Sequence, residues 1–322
     1  MEVIIMLNVE RLGVVLNPKD KYHAKFNAGM VREGNRVHML YRWAEAESSK
    51  CPPDGISPIS YVHDFIAYAE LDTNGKLIKD YDKPLIAPFN EWSKAGCQDP
   101  RIIIFEGMFY IFFTSWDLSC ARVGVARTKD FKNIERLGII PTVQFDKDAF
   151  ILPERIRGKI VYIHRINSEI QIDYFDSFDK MFDRRFWANY SKRMHEKVVI
   201  RSEFPWENKK VGGSVPPIRT ESGWLFIYHG VADDRVPFCY RTGAALLDLK
   251  NPSKVIARLP YPLLEPQTDY EIYGHVNNVV FPQGAFINNG WIYISYGGAD
   301  RVVAMARVKY DELLSELEKN AV

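Results

Sequence analysis

The sequence lacks the features that mark several large classes of protein. Its 322 residues contain no stretch approaching the roughly 18–20 apolar residues that a membrane-spanning helix requires. Residues 1–7 form a short apolar run with no basic region and no cleavage site of small residues. The charges almost cancel, with 42 Lys and Arg against 41 Asp and Glu, which argues against binding a polyanion through a generally basic surface. We therefore expect a cytoplasmic protein that binds neither membranes nor nucleic acids.

The sequence also contains no motif for a metal site, a disulfide framework or a nucleotide-binding loop. The cysteines Cys51, Cys97, Cys120 and Cys239 lie far apart with no Cys-x-x-Cys pair, and the seven histidines never fall at metal-ligand spacing. The phosphate-loop pattern Gly-x-x-x-x-Gly-Lys-Ser/Thr does not occur. We expect free thiols, no metal site and no cofactor.

Helical periodicity is scarce, whereas strand patterns repeat along the chain. Only residues 310–320 read as an amphipathic helix, with Leu313, Leu314 and Leu317 on one face. This helix could pack on its own domain or on a second copy of the chain; we expect the first, and a homo-oligomer stays open. Elsewhere an apolar run reaches a turn containing Gly, a run of β-branched and aromatic residues returns, and a third strand follows.

This hairpin occurs five times, at residues 28–44, 101–115, 149–165, 217–229 and 279–296. The turn glycines of the first and last hairpins, Gly34 and Gly290, are 256 residues apart, which is four steps of 64. Five such units account for the chain length. A single β-sandwich would not explain five hairpins at this spacing, so we predict one all-β domain over residues 1–322, a five-bladed β-propeller with a short C-terminal helix.

A propeller brings equivalent strand ends of all blades to one end of the ring, here called the mouth. The inner strand of each blade starts there and its antiparallel partner ends there. The residues at these positions include four basic side chains, and these are Arg42, Arg165, Lys210 and His229. Asp99 lies opposite them, and aromatic residues flank the same ends. Each basic residue alone could be solvated or paired with a neighbouring Asp.

Four basic side chains around one axis suit a bound dianion, because Arg, Lys and His supply different kinds of donor. An aromatic cleft with carboxylates and amides suits a sugar, whose ring faces stack while its hydroxyls need polar partners. A sugar and a phosphate at one site suggest a phosphorylase, but the residues alone do not distinguish it from a protein that binds a sugar phosphate.

An ordered set of motifs then extends over nearly the whole chain. They are Phe-Asn-Ala-Gly (26–29), Leu-Tyr-Arg (40–42), Gln-Asp-Pro-Arg (98–101), Lys-Asp-Ala (147–149), His-Arg (164–165), Lys-Val-Gly (210–212), Tyr-His-Gly (228–230), Asn-Val-Val-Phe-Pro (278–282) and Tyr-Gly-Gly-Ala-Asp (296–300). In this set the sequence resembles glycoside hydrolase family 130, five-bladed enzymes that act on β-mannosides.

The resemblance implies an inverting phosphorylase that cleaves a β-mannoside with inorganic phosphate as co-substrate and gives α-mannose 1-phosphate. It implies that Asp99 is the proton donor, acting by way of a hydroxyl of the bound mannose. The phosphate-binding positions of the family match Arg42, Arg165, Lys210 and His229. Positions that bind the sugar match Asn27, Asp64, Arg101 and Asp300.

Two departures from the family pattern affect the choice of acceptor sugar. Residues 212–215 replace a more usual Gly-x-Gly-Pro, and the insertion at 45–60 has no assigned counterpart. The linkage (β-1,2 or β-1,4) and the acceptor, a manno-oligosaccharide or glucose, stay open. An inverting β-mannoside hydrolase and a non-catalytic sugar-binding propeller are the alternatives.

Overall fold

Residues 7–46 and 63–322, which this computed structural model describes, form five antiparallel β-sheets. The sheets are arranged as the blades of a five-bladed propeller, so the predicted all-β architecture and the predicted number of blades are confirmed. Within the insertion at 45–60, only residues 45 and 46 lie inside the described part of the chain. Cys51 lies outside it, and Cys97, Cys120 and Cys239 are free thiols.

Each blade is built from consecutive strands, apart from one strand of the last blade. The first described strand is β1 (Val9–Leu16), which belongs to blade 5. Blade 1 contains β2 (His23–Glu33), β3 (Arg36–Glu45), β4 (His63–Leu71) and β5 (Leu77–Ile86). Blade 2 contains β6 (Gly96–Phe105), β7 (Met108–Trp116), β8 (Ala121–Thr128) and β9 (Glu135–Ile139). Blade 3 contains β10 (Asp146–Ile151), β11 (Ile160–Ile166), β12 (Ile170–Phe175) and β13 (Val198–Ile200). Blade 4 contains β14 (Lys210–Gly213), β15 (Ile218–Arg219), β16 (Trp224–Ala232), β17 (Cys239–Leu247) and β18 (Val255–Arg258), and blade 5 continues with β19 (Val280–Asn288), β20 (Trp291–Gly298) and β21 (Val302–Lys309).

The ring is closed by β1, which pairs antiparallel with β21. Val9 lies opposite Val308 and Leu16 lies opposite Val303, so β1 supplies the outer strand of blade 5. Arg11 fastens β1 to the short helix before β19, because its Nε donates to Glu271 Oε1 at 2.9 Å. The sequence pattern did not predict this pairing.

The inner strands of blades 1 to 3 share a β-bulge near the mouth. The strand register shifts between residues 26 and 29, between 98 and 101, and between 147 and 150. Asn27, Asp99 and Asp148 lie in these bulges with φ of 48°, 51° and 55°. Asn and Asp tolerate this left-handed conformation better than other non-glycine residues. Each bulge therefore redirects a polar side chain where the strand reaches the mouth.

The centre of the ring is tightly packed next to these bulges. Gln283 Nε2 donates to the backbone oxygens of Asn27 (2.6 Å) and Pro100 (2.8 Å), joining blade 5 to blades 1 and 2. Gly29 is required here, because a Cβ on it would lie 2.4 Å from Pro100 O. The backbone under the mouth is thus fixed by contacts among three blades.

The predicted C-terminal helix is present as α4 (Tyr310–Lys319), after the short helices α1 (Phe178–Met181), α2 (Arg184–Ala188) and α3 (Asp269–Ile272), which the sequence pattern did not predict. Leu313, Leu314 and Leu317 are buried in one apolar cluster with residues of blades 4 and 5. The helix therefore packs on its own propeller, as expected. Among the described residues, no helix combines the length and apolarity needed to span a bilayer.

Candidate active site

The mouth brings together the side chains that the sequence assigned to the site. Inner strands carry Asn27, Asp99 and Arg101 near their mouth ends, and β14 begins with Lys210. Return strands carry Arg42, Arg165 and His229 near their ends, Asp64 is the second residue of β4, and Asp300 follows β20. The contacts among these residues divide the site into two halves. In the acidic half, Asp64, Asp99 and Asp300 surround Arg42, and the basic half lies around Arg165.

Asp99, the predicted proton donor, lies in the acidic half and is only 5% exposed. Its Oδ1 accepts a hydrogen bond from Asn27 Nδ2 at 2.9 Å and lies 3.5 Å from Arg42 Nη1. Its backbone oxygen accepts from Arg101 Nη1 at 2.9 Å. Asn27 and Arg42 thus fix the orientation of the carboxyl group, and Arg101 holds the backbone of the bulge that carries it.

Arg42 is surrounded by carboxyl groups. Its Nε donates to Asp64 Oδ1 at 2.7 Å, and Gln98 Nε2 donates to Asp64 Oδ2 at 2.7 Å. Burial works against the charged guanidinium, but Asp64 and Asp99 outweigh it and raise the pKa of Arg42. Arg42 thus lies with the residues predicted to bind the sugar, and its predicted contact with phosphate stays a prediction.

Asp148 connects two arginines beneath the mouth. Its Oδ1 accepts from Arg101 Nη2 (2.9 Å), and its Oδ2 accepts from Arg165 Nε (2.6 Å). Burial would raise the pKa of the Asp148 carboxyl, but Arg165 and Arg101 outweigh it and hold that pKa well below its ordinary value. Asp148 is therefore ionised and fixes both guanidinium groups.

Arg101 is 1% exposed, and each of its three guanidinium nitrogens donates to a protein acceptor. Besides Asp148 and the backbone of Asp99, its guanidinium donates to Gly213 O at 3.2 Å. These contacts hold the inner strands of blades 2, 3 and 4 together. They are the contacts of a positioning residue, and the predicted contact of Arg101 with the sugar stays a prediction.

The basic half contains Lys147, Arg165, Lys210 and His229, called the basic cluster below. Burial, together with the positive charges of Arg165 and Lys147, lowers the pKa of Lys210 to about 8. Burial also lowers the pKa of Lys147, and the charge of Arg165 adds to the effect. The cations destabilise one another, so an anion placed among them would be strongly stabilised.

Lys147 is the member of the basic cluster that the sequence assignment omitted. It lies directly opposite Arg165 across the β10–β11 pair. The sequence did contain a signal for Lys147. It lies at the start of the inner strand β10, as Lys210 lies at the start of β14.

His229 is held as a neutral imidazole beside the cations. Burial, together with Arg165 and Lys210, holds its pKa well below the ordinary value. Its Nδ1 lies 2.9 Å from Ser214 Oγ. A Cβ on Gly212 would lie 2.4 Å from His229 Cε1, so the unusual segment 212–215 packs against the basic cluster.

A cavity of about 500 Å³ opens at the acidic half. Its lining combines aromatic and apolar side chains with carboxyl, amide and basic groups, namely Phe26, Arg42, Asp64, Lys94, Ala95, Gln98, Trp116, Leu118, His275, Val276 and Asp300. Burial, with a contribution from the charge of Asp99, raises the pKa of Asp300 to about 6. The mixture of ring faces and polar groups is what a bound sugar requires.

Behind the basic cluster, His164 forms a buried ionic network that the sequence assignment did not include. Its Nδ1 lies 3.0 Å from Asp146 Oδ1, its Nε2 lies 3.3 Å from Asp173 Oδ2, and Tyr190 OH donates to the same Asp173 oxygen. Burial opposes the charged imidazole, but Asp146 and Asp173 outweigh it and raise the pKa of His164 to about 9. The network supports β11, which carries Arg165 as its next residue.

We expect the stability that His164 supplies to depend on pH. Because its folded-state pKa of about 9 lies above the ordinary value of 6.5, the contribution is complete below pH 6.5 and is lost as the pH rises through 9. The difference corresponds to on the order of 3 kcal/mol. Denaturant unfolding from pH 6 to 10 should show the advantage of the wild type over His164→Gln shrinking with rising pH. The exposed His195→Gln is the control, and an advantage that does not change with pH would contradict the assignment.

Comparison with known proteins relates this geometry to characterised enzymes. A family profile described as beta-1,4-mannooligosaccharide phosphorylase matches residues 5–319. A 1,2-beta-oligomannan phosphorylase of Thermoanaerobacter sp. (strain X514) is 32% identical over 96% of this chain and 99% of its own length. A beta-1,2-mannobiose phosphorylase of the same organism is 36% identical over 90% of this chain and 91% of its own length. Among solved structures, the beta-1,2-mannobiose phosphorylase of Listeria innocua in complex with beta-1,2-mannobiose has a TM-score of 0.79 at 26% identity, covering 97% of this chain and 100% of that one.

Proposed function

The chain belongs to glycoside hydrolase family 130, and from this premise we propose that it is an inverting phosphorylase of β-mannosides. In this reaction inorganic phosphate cleaves the glycosidic bond and gives α-mannose 1-phosphate and a shortened sugar. The observation that carries the proposal is the basic cluster beside Asp99. Its three cationic side chains and one neutral imidazole lie around the carboxylate of Asp148.

Cleavage of the bond requires a proton on the leaving oxygen and a nucleophile at the anomeric carbon. A phosphate oxygen forms the new bond to that carbon while the bond to the leaving sugar breaks, and Asp99 supplies the proton by way of a mannose hydroxyl. Asn27 and Arg101 hold Asp99 in place for this transfer. Attack from the face opposite the leaving group inverts the anomeric configuration.

Phosphate differs from water in what it needs from the protein. An inverting hydrolase uses a second carboxylate to activate water, whereas phosphate is already an anion and needs cations to bind and align it. Arg165, Lys147 and Lys210 supply these cations. A bound dianion would also stabilise the charged form of Lys210, whose pKa the free site lowers to about 8.

We propose the buried end of the carboxyl-lined cavity as the subsite for the mannose that is cleaved. Asp64, Arg42 and Asp300 offer acceptors and donors for its hydroxyls, and Phe26 offers a ring face. The three proteins named above act on β-1,2-linked substrates according to their names, and the family profile names a β-1,4 activity. β-1,2-Mannobiose is therefore the first substrate to test, with β-1,4-mannobiose and mannosyl-glucose next. Phosphate is a co-substrate, and the expected absence of any cofactor stays a prediction.

A single assay tests the proposed reaction. The protein is incubated with β-1,2- or β-1,4-mannobiose, with and without inorganic phosphate, and mannose 1-phosphate and free mannose are quantified. We expect mannose 1-phosphate together with one equivalent of mannose, only when phosphate is present. Equal release of mannose without phosphate would identify a hydrolase instead, and binding of mannobiose without any product would identify a sugar-binding propeller.

A further inference from the structure

Three apolar side chains lie together on the rim of the candidate sugar cavity. Trp116 and Leu118 line the cavity, and the ring centre of Phe145 lies 5.7 Å from that of Trp116. Leu118 is 72% exposed and Phe145 is 50% exposed. Large apolar groups exposed together beside a polar cavity are a common mark of a binding surface. This group is called the rim platform below.

Leu118 is held in an unfavourable backbone conformation. Its φ is 79°, in the left-handed region that a leucine rarely adopts. Asp117 maintains the turn, because its Oδ1 accepts from the backbone N–H groups of Ser119 (2.8 Å) and Cys120 (2.7 Å), and its Oδ2 accepts from Arg122 (2.7 Å). A strained residue that several hydrogen bonds fix in place, with its side chain in solvent, points to a role in binding.

The position of the rim platform identifies the part of the substrate that it can reach. Asp99 and Asp64 lie at the buried end of the site, since Asp99 is 5% exposed and Asp64 is 3% exposed. Leu118 lies at the open end. A sugar chain cleaved at its terminal mannose places that mannose at the buried end and its remaining units at the open end. The carbon–hydrogen faces of those units need apolar partners, which the three side chains supply.

Resting on the proposed phosphorylase function, we propose that the rim platform binds the leaving saccharide and favours chains longer than a disaccharide. Trp116, which reaches into the cavity, contacts the first unit of the leaving group. Leu118 and Phe145 contact the second unit, which mannobiose does not have. The preference for longer chains therefore resides in Leu118 and Phe145.

The test compares Leu118→Gly, Phe145→Ala and the double variant with the wild type on mannobiose and mannotriose. Glycine suits the φ of 79°, so Leu118→Gly removes the side chain without adding backbone strain. We expect KM for mannotriose to rise about tenfold in the double variant, with KM for mannobiose and for phosphate changing less than twofold. Leu12→Ala, which truncates an exposed leucine on β1, is the control.

Other results would contradict either the role of the rim platform or the phosphorylase function. An unchanged KM for mannotriose, or equal increases for mannobiose and mannotriose, overturns the role of the rim platform while leaving the phosphorylase function intact. Absence of mannose 1-phosphate from the wild type overturns the proposed function itself. If the double variant fails to fold, as thermal melting would show, the single variant Leu118→Gly gives the same comparison.

Discussion

Asp99→Asn is expected to lower kcat/KM for the phosphorolysis of β-mannobiose by about 10²–10⁴-fold, the range typical of a lost general acid. The amide keeps the shape of the carboxyl group but has no proton to transfer to the leaving oxygen. Its oxygen can still accept from Asn27 Nδ2, so the bulge and the surrounding hydrogen bonds should persist. Steady-state kinetics with saturating phosphate measure the effect.

A substrate with a good leaving group separates the loss of the acid from damage to the site. 4-Nitrophenyl β-mannoside releases a phenolate that needs little protonation, so Asp99→Asn should retain much more activity on it than on mannobiose. Asp130→Asn, in an exposed turn after β8 at the other end of the ring, is the matched control and should leave both activities unchanged. Wild-type turnover of mannobiose by Asp99→Asn would rule out Asp99 as the proton donor.

Arg165→Ala is expected to raise KM for phosphate by about 100-fold, while KM for mannobiose changes less than threefold. The guanidinium lies in the middle of the basic cluster, and hydrogen bonds between charged partners contribute about 1.5–3 kcal/mol each. Initial rates over a range of phosphate concentrations measure the change. Arg165→Lys keeps the charge but loses the two-pronged geometry, so its KM should fall between those of the wild type and the alanine variant.

The control for Arg165 is Arg127→Ala, which removes a half-exposed arginine that pairs with Glu135 at the opposite end of blade 2. It should leave KM for phosphate unchanged. An Arg165→Ala enzyme with wild-type dependence on phosphate would show that the basic cluster does not bind the co-substrate. Equal increases in KM for phosphate and mannobiose would instead indicate that the loss of the Asp148 contact had displaced the whole site.

The repeat architecture was predictable because each blade is a local pattern. A strand, a turn containing glycine and a returning strand are close in sequence, and five such units imply a ring whose mouth collects equivalent positions. The pairing of β1 with β21 was not predictable in this way. It joins residues nearly 300 positions apart, and nothing in the alternation of either strand specifies its partner.

The candidate site was predictable by residue type but not by pairing. Arg42 and Arg165 have the same chemistry and equivalent positions, yet Arg42 faces Asp64 and Asp99 whereas Arg165 faces Asp148 and the lysines. Lys147 was not selected, although it lies at the start of an inner strand as Lys210 does. The left-handed bulges that carry Asn27, Asp99 and Asp148 depend on contacts between blades, which a single sequence does not show.

The pairing of β1 with β21 also determines when the ring can close during synthesis. β1 leaves the ribosome before its partner β21 has been translated, and almost 300 further residues must be added. At typical elongation rates of 5–20 residues per second, this takes roughly 15–60 s. During that interval the nascent chain carries β1 without the strand that will cover its edge, a state in which exposed strand edges can pair with the wrong chain. The ring therefore cannot close until β21 has been synthesised.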